Sequence, residues 1–212
     1  PKTEQVVLVG GLLTPGFVDL QVNGGGGVLF NDNPSLENLS KICEAHTKLG
    51  STSIMPTLIS DSPEINKRAI LAITDALNQP INGLVGLHLE GPHLAHKRKG
   101  AHEESFLRPM KELDCTKLEG LAKIIPNLMI TIAPEAVSTQ QITRLSKAGA
   151  IISLGHTDCT YSEAFDAVDA GATCATHLFN AMSPFGSREP GLVGAVLNNG
   201  KLFSGIIADG FH

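Results

Sequence analysis

A regular alternation of short apolar runs and longer amphipathic stretches constrains the fold of this chain more than any other feature. Apolar runs of about four to eight residues with no polar alternation are typical of strands buried on both faces. Helical spacing of apolar residues follows most runs, and Gly149 and Gly171 stand where helices are expected to end. Strands that alternate with helices form right-handed βαβ units and therefore a parallel sheet. Strands are predicted at 16–22, 53–59, 84–89, 128–132, 151–154, 173–176 and 201–208, and helices at 35–49, 63–77, 113–124, 138–148 and 162–170.

Chemically distinctive residues stand at the ends of all the predicted strands. In order these are Gln21 and Asn23, Pro56 and Thr57, Glu90, Glu135, His156, His177, and Asp209 with His212. A (β/α)8 barrel builds its active site from the C-terminal ends of all its strands, whereas an open doubly wound sheet uses one switch point. The pattern therefore favours the barrel. Because such a barrel normally has eight strands and about 250 residues, we expect an α/β, TIM-like barrel truncated to about seven strands in residues 14–212, within a longer polypeptide.

Composition and charge exclude several classes of protein. The chain is 42% hydrophobic, which suits one domain with a real core, and its net charge of −5 argues against a nucleic-acid partner. It has no apolar run long enough to predict a membrane span or a signal peptide. The four cysteines lack CxxC spacing, so we expect buried, reduced thiols and a cytoplasmic location.

Glu90, His156 and His177 are the strongest candidates for chemistry, because each follows a short apolar strand. In a barrel their side chains converge around one axis, and a carboxylate with two imidazoles leaves an open position for water, as in catalytic metal sites. Zn²⁺ suits these ligands best, although Fe²⁺ also binds two histidines and a carboxylate. The alternative is structural: a single histidine at a strand end is more often a hydrogen-bonded core residue.

The remaining histidines and one arginine have less specific contexts. His88 alternates onto the side of Glu90 and is either a support of the metal site or a buried structural residue. His93 and His96 are expected to be solvated in the loop that follows. His102 and Arg188 occupy glycine-flanked turns near the barrel mouth, where they are candidates for binding a small anion such as a sugar phosphate.

Seven motifs occur in an order and spacing that closely resemble the N-acetylglucosamine-6-phosphate deacetylases of the metal-dependent amidohydrolase superfamily. They are PGFVDLQVNGGGG, LHLEGPHL, KGAH, GHT, ATHLFNAM, GSREPG and GIIADGFH. The resemblance implies hydrolysis of the acetamido group of N-acetylglucosamine 6-phosphate, giving glucosamine 6-phosphate and acetate in amino-sugar catabolism. It implies metal ligands at Glu90, His156 and His177, and substrate contacts at Ala101, His102, Asn180, Ala181, Arg188 and His212. It also implies a homodimer in which Arg188 reaches the neighbouring active site, and it identifies residues 1–13 as a remnant of a small β-sandwich.

The chain departs from the family pattern in two places. Gln21 and Asn23 stand where the wider superfamily has two histidines, and because neutral amides are poor ligands for a divalent metal, we expect one metal ion. The same substitution disfavours other amidohydrolases such as deaminases. The family's general acid/base aspartate is expected beyond His212. A non-catalytic sugar-phosphate-binding barrel is therefore an alternative function.

Overall fold

The computed structural model describes residues 3–212 and shows a curled parallel sheet with helices packed against it. The strands are β1 (Phe17–Val22), β2 (Gly24–Gly25), β3 (Val28–Leu29), β4 (Ser51–Ile59), β5 (Leu87–Glu90), β6 (Leu128–Ile132), β7 (Ile151–Leu154), β8 (Ala172–Ala175) and β9 (Phe203–Ser204). The helices are α1 (Leu36–Thr47), α2 (Pro63–Asn78), α3 (Glu112–Ala122), α4 (Thr139–Lys147), α5 (Tyr161–Asp169) and α6 (Gly191–Asn198).

Seven parallel strands form the sheet in the order β1-β4-β5-β6-β7-β8-β9, and β2 and β3 form a separate hairpin. This architecture confirms the prediction of an α/β barrel truncated to seven strands. The register aligns one row of residues across the sheet: Glu90 pairs with Ile59 on one side and with Thr131 on the other, and Thr131 pairs with Ser153. The register therefore brings the C-terminal ends of the central strands to one edge.

Local sequence signals explain where most helices begin. The side chain of Ser62 accepts the backbone N–H of Ile65 at the start of α2, whose first residue is Pro63. Reciprocal capping boxes begin α4, between Ser138 and Gln141, and α5, between Thr160 and Glu163. These caps satisfy backbone N–H groups that would otherwise lack partners.

Most predicted elements agree with the structure within one to three residues, and the larger differences are two strands, one helix and the N-terminal segment. The predicted strand 201–208 is reduced to Phe203–Ser204: Gly205 still donates to the Ala175 carbonyl and accepts the N–H of Leu178, but residues 206–208 form no backbone hydrogen bond within the described part of the chain. The predicted strand 84–89 starts at Leu87, although Leu84 forms an isolated bridge with Ile54. Helix α6 was not predicted. Residues 3–16 contain no helix or strand, and residues 1–2 of the predicted sandwich remnant lie outside the described residues, so that assignment stays a prediction.

A continuous apolar core lies between the sheet and the helices, with Ile54, Leu87, Leu128 and Ile152 fully buried. All four cysteines are buried and free, as expected, and burial raises the pKa of the Cys159 thiol to about 12. None of the helices in residues 3–212 combines the length and the apolar character that a membrane crossing requires.

Candidate metal centre

The structure brings Glu90, His156 and His177 together from the ends of three strands. Glu90 is the last residue of β5, His156 follows β7 by two residues, and His177 follows β8 by two residues. The carboxylate is buried, with 2% of its side chain exposed, and the two imidazoles are 6% and 10% exposed. The convergence predicted from the strand ends therefore occurs in a site largely removed from water.

Both histidines have a left-handed backbone, with φ of 48° at His156 and 34° at His177. This conformation costs a residue other than glycine about 1–2 kcal/mol. Its occurrence at two strand ends in one cluster is typical of functional sites, where the surrounding structure holds strained residues in place. Gly100 also approaches closely, since a Cβ at that position would lie 3.2 Å from Cε1 of His156.

The hydrogen-bond partners of the two rings fix their tautomers. Nδ1 of His156 lies 2.8 Å from the carbonyl oxygen of Arg98, and Nδ1 of His177 lies 3.1 Å from the carbonyl oxygen of Asn180. A carbonyl oxygen can only accept, so each Nδ1 carries a proton and donates it. In the neutral rings the lone pairs are therefore on Nε2, directed at Glu90.

The three inward-facing atoms lie too close together to be stable without a cation. Nε2 of His156 and Nε2 of His177 lie 3.1 Å and 3.2 Å from Oε1 of Glu90, and 3.0 Å from each other. Three lone-pair acceptors at these distances repel one another unless a proton or a metal ion lies among them. Ligands at tetrahedral Zn²⁺ with bonds of about 2.0–2.1 Å are separated by roughly 3.3 Å, close to the spacing here. The residues present fit a metal ion.

His102 is the fourth member of this cluster but differs in tautomer. Ligand atoms of Glu90, His102 and His156 lie within 4.8 Å of one another, so these three residues also form a possible metal-binding group. However, Nδ1 of His102 accepts the backbone N–H of Ser60 at 3.2 Å, which places the ring proton on Nε2. That Nε2–H points towards Oε2 of Glu90 at 3.7 Å. His177 differs in that its Nε2 carries a lone pair and lies 3.2 Å from Oε1 of Glu90.

Electrostatics in the cluster follow from burial and from the carboxylate. Burial would raise the pKa of Glu90, but the contacts of His102, His156 and His177 with its carboxylate outweigh burial and hold the pKa well below the usual range. Burial would lower the pKa of His177, whereas the hydrogen bond and the charge of Glu90 raise it overall. In the absence of a metal, a proton on His177 thus relieves part of the lone-pair repulsion.

Gln21 contacts the carboxylate of Glu90 directly. Its side-chain amide nitrogen donates to both carboxylate oxygens at 3.0 Å. The group that Gln21 directs at the cluster is thus an NH₂ donor without a lone pair for a cation, and the absence of a ligand at this position stays a prediction.

The remaining predicted site residues lie at different distances from the cluster. Ala101 is exposed beside buried His102, and the half-buried Asn180 and Ala181 hold the turn that orients His177. Arg188 is exposed in the loop before α6, and His212 is exposed and pairs with Asp209 at 2.9 Å. Among residues 3–212, no hydrogen bond joins Arg188 or His212 to the cluster, so their substrate contacts stay predictions.

Two predictions about the loop after β5 have different outcomes. His96 is exposed, as expected. The expectation that His93 is solvated is wrong, because His93 is buried and its Nδ1 donates to the carbonyl oxygen of Arg108 at 3.1 Å. Its own carbonyl accepts the N–H of Ala133, which fastens this loop to the end of β6.

His88, predicted to be either a support of the metal site or a buried structural residue, makes hydrogen bonds to two other strands. It is fully buried, and its two ring nitrogens contact the Leu20 carbonyl at 2.9 Å and the Thr131 hydroxyl at 2.6 Å. Burial lowers the pKa of His88 and keeps the ring neutral. The hydroxyl partners gave no signal in the sequence, since threonine is ordinary in a buried strand.

Together the fold and the cluster define a class, namely α/β barrels with a possible metal site at the C-terminal ends of their strands. Among curated proteins, the chain is 43% identical over 205 residues to the N-acetylgalactosamine-6-phosphate deacetylase of Shewanella sp. (strain ANA-3) and 43% identical over 210 residues to the N-acetylglucosamine-6-phosphate deacetylase of Haemophilus influenzae. The crystal structure of N-acetylglucosamine-6-phosphate deacetylase from Pasteurella multocida matches with a TM-score of 0.88 and 42% identity. These comparisons confirm the resemblance to the deacetylases.

The alignments cover nearly all of this chain but only about half of each relative. The alignments include 97% of this chain but 52% and 53% of the two curated relatives, and the Pasteurella comparison covers 93% of this chain and 52% of that one. The chain thus spans about half the length of the relatives it matches. No protein-family model matches it.

Proposed function

We propose that the protein containing this chain hydrolyses the acetamido group of N-acetylglucosamine 6-phosphate, giving glucosamine 6-phosphate and acetate. The observation that carries the proposal is the crowding of Oε1 of Glu90 and two imidazole Nε2 atoms within 3.2 Å at the strand ends. The similarity to deacetylases that act on this class of sugar phosphate supports the choice of substrate.

In this proposal Glu90, His156 and His177 hold one divalent ion, preferably Zn²⁺. When bound, such an ion polarises a carbonyl group and acidifies water, which the hydrolysis of an unactivated amide requires. The backbone carbonyls of Arg98 and Asn180 keep the two rings in the tautomer that presents Nε2. Gln21 holds the carboxylate in the orientation that directs Oε1 at the rings.

The position of His102 suggests a role beside the reacting amide. Its Nε2–H is directed into the cluster at 3.7 Å from Glu90, and its side chain is 2% exposed. A neutral donor there can stabilise negative charge that develops on the carbonyl oxygen of a substrate. This role suits its burial better than the phosphate contact expected from the sequence. Arg188, which is exposed, is then the candidate for the phosphate.

Acetate release by the intact protein tests the proposed function. We expect activity on N-acetylglucosamine 6-phosphate to fall at least about a hundredfold after thorough chelation and to return with one equivalent of Zn²⁺ per site. Activity that survives chelation would contradict the proposal. Tight binding of the sugar phosphate without acetate release, by metal-loaded protein, would favour the non-catalytic alternative. N-acetylgalactosamine 6-phosphate is assayed in parallel because one relative is named for it, and a higher kcat/KM for that sugar would reassign the substrate.

A second prediction concerns the loop that orients His156. The N–H of Ala95 donates to the His156 carbonyl at 2.9 Å, while Nδ1 of His156 donates to the Arg98 carbonyl. The guanidinium of Arg98 binds Oδ1 of Asp158 through two nitrogens at 2.9 Å and 2.6 Å, so this ion pair fixes the loop to the chain beyond β7. We expect Arg98→Ala to weaken Zn²⁺ binding about tenfold, measured by competition with a chromogenic chelator.

Lys97→Ala is the matched control for this measurement. Lys97 also contacts Asp158, but its side chain is 73% exposed and its carbonyl does not contact His156. We expect its loss to change the affinity less than about twofold, as for other exposed ion pairs. Equal effects of the two substitutions would indicate that only the charge near the site matters.

A further inference from the structure

A chain of buried polar side chains joins the strands that carry the proposed metal ligands. It consists of Ser153 on β7, Thr176 after β8, Thr131 on β6 and His88 on β5, and it ends at the carbonyl of Leu20 on β1. The successive distances are 2.6, 2.7, 2.6 and 2.9 Å, and the four side chains belong to residues that are at most 5% exposed. We call these four residues the polar belt.

The carbonyl of Leu20, at one end of the polar belt, determines which group donates in each of its hydrogen bonds. Nδ1 of His88 lies 2.9 Å from the Leu20 carbonyl, which can only accept, and 3.2 Å from the hydroxyl of Thr57, which donates to the Met55 carbonyl. Nδ1 therefore carries the proton, and Nε2 of the neutral ring must accept from Thr131. The Thr131 oxygen then accepts from Thr176, and the Thr176 oxygen accepts from Ser153. No other arrangement of the hydroxyl protons satisfies all four contacts with a neutral ring.

Residues of the polar belt are close neighbours in sequence of the proposed ligands and of Gln21. Thr176 immediately precedes His177, His88 lies two residues before Glu90 on the same face of β5, and Leu20 immediately precedes Gln21. Gly155, next to His156, also packs on it, since a Cβ there would lie 2.9 Å from the Thr131 methyl group and 3.0 Å from Cβ of Thr176. Each proposed ligand therefore lies within two residues of a belt residue or, for His156, next to a glycine that packs on the belt.

Resting on the proposed function, we propose that the polar belt positions the metal ligands, with His88 as the positioning residue that joins the strand carrying Glu90 to the strand carrying Gln21. The bonds fix β5, β6, β7, the residue after β8 and Leu20 of β1 relative to one another. An apolar layer of equal volume would fill the same space without specifying those relative positions, because hydrogen bonds are directional and dispersion contacts are not. The belt thus specifies the separation of Nε2 and Oε1 atoms that a metal ion requires.

Thr131→Val and Thr131→Ser in the intact protein test this inference. Valine keeps the volume but removes the donor to His88 and the acceptor for Thr176, whereas serine keeps the hydroxyl group. We expect Thr131→Val to weaken Zn²⁺ binding about tenfold or more, in the range found for outer-shell partners of metal ligands, and Thr131→Ser to stay within about threefold. Ile130→Val is the matched control, because Ile130 is the fully buried neighbour on the opposite face of β6.

Two further measurements make the test decisive. If Thr131→Val does not fold, Ser153→Ala, which removes only the last hydroxyl, is expected to weaken binding about threefold. The ¹⁵N shifts of the His88 ring should show a proton on Nδ1 and none on Nε2. Wild-type affinity in Thr131→Val, or a proton on Nε2 of His88, would overturn the inference while leaving the proposed function intact. A wild-type protein that binds no divalent ion would overturn the proposed function and this inference with it.

Discussion

Glu90→Gln is expected to abolish both metal binding and acetate release, with a loss of activity of about a thousandfold or more. Glutamine keeps the shape of the side chain, but a neutral amide is a poor ligand for a divalent ion. Removing even one preorganised electrostatic contact typically costs about 10²–10³ in kcat, and here the anchor of the whole cluster is removed. Acetate release and Zn²⁺ titration measure the two losses separately.

The same substitution is expected to have a small effect on the stability of the metal-free protein. An amide NH₂ at this position can donate to Nε2 of His156 or His177, which relieves the repulsion among three acceptors within 3.2 Å. It also faces the donor NH₂ of Gln21 at 3.0 Å, which offsets this gain, so we expect the Tm of Glu90→Gln in chelator to lie close to that of the wild type. Wild type should gain about 2.7 kcal/mol of unfolding free energy at a metal concentration about a hundred times Kd, whereas the variant should gain none.

Glu104→Gln is the control for the substitution itself. Glu104 is an exposed carboxylate in the loop between β5 and α3. It pairs with Lys99 at 3.2 Å and makes no contact with the cluster. We expect its activity and its metal-dependent stabilisation to match the wild type. If Glu90→Gln retained metal binding, His102 and the two other imidazoles would have to supply all the ligands, and the preference for Glu90 would be wrong.

The convergence of Glu90, His156 and His177 could be predicted because it follows from topology. In a parallel sheet all strands end at the same edge, so a distinctive residue after a short apolar run has a defined place without any knowledge of packing. The left-handed backbone at His156 and His177 could not be predicted, since only Gly155 beside one of them signals an unusual turn.

The polar belt could not be predicted from the sequence, for a physical reason. Thr131, Ser153 and Thr176 stand in or beside apolar runs, where threonine and serine are compatible with any buried strand. Their partners lie on other strands, 23 to 45 residues away, and only the register of the sheet brings them together. Helix α6 was missed on related grounds: its sequence GLVGAVLN is apolar on all sides, so it has no helical periodicity to detect.

Arg188→Ala is expected to raise KM for N-acetylglucosamine 6-phosphate about 10- to 100-fold while leaving activity on unphosphorylated N-acetylglucosamine unchanged. A hydrogen bond to a charged group contributes about 1.5–3 kcal/mol, which corresponds to this range of affinity. Arg188→Lys should recover only part of the loss, because lysine keeps the charge but lacks the planar fork that binds two phosphate oxygens. Equal losses on the phosphorylated and unphosphorylated sugars would show that Arg188 acts on the fold of its loop and not on phosphate.

Mixing two impaired variants, assayed at a substrate concentration well below the KM of Arg188→Ala, distinguishes an arginine that acts within its own subunit from one that acts across a dimer. Arg188 is exposed and makes no hydrogen bond to the cluster among residues 3–212, which is compatible with a substrate bound in a neighbouring subunit. If the homodimer forms, Arg188→Ala supplies an intact metal cluster and Glu90→Gln supplies an intact arginine. Random pairing at equal amounts then makes half of the dimers mixed, each with one complete site, so roughly a quarter of wild-type activity should return. An arginine that serves its own subunit would leave the mixture no more active than the average of its components, because no pairing could then place both groups in one site.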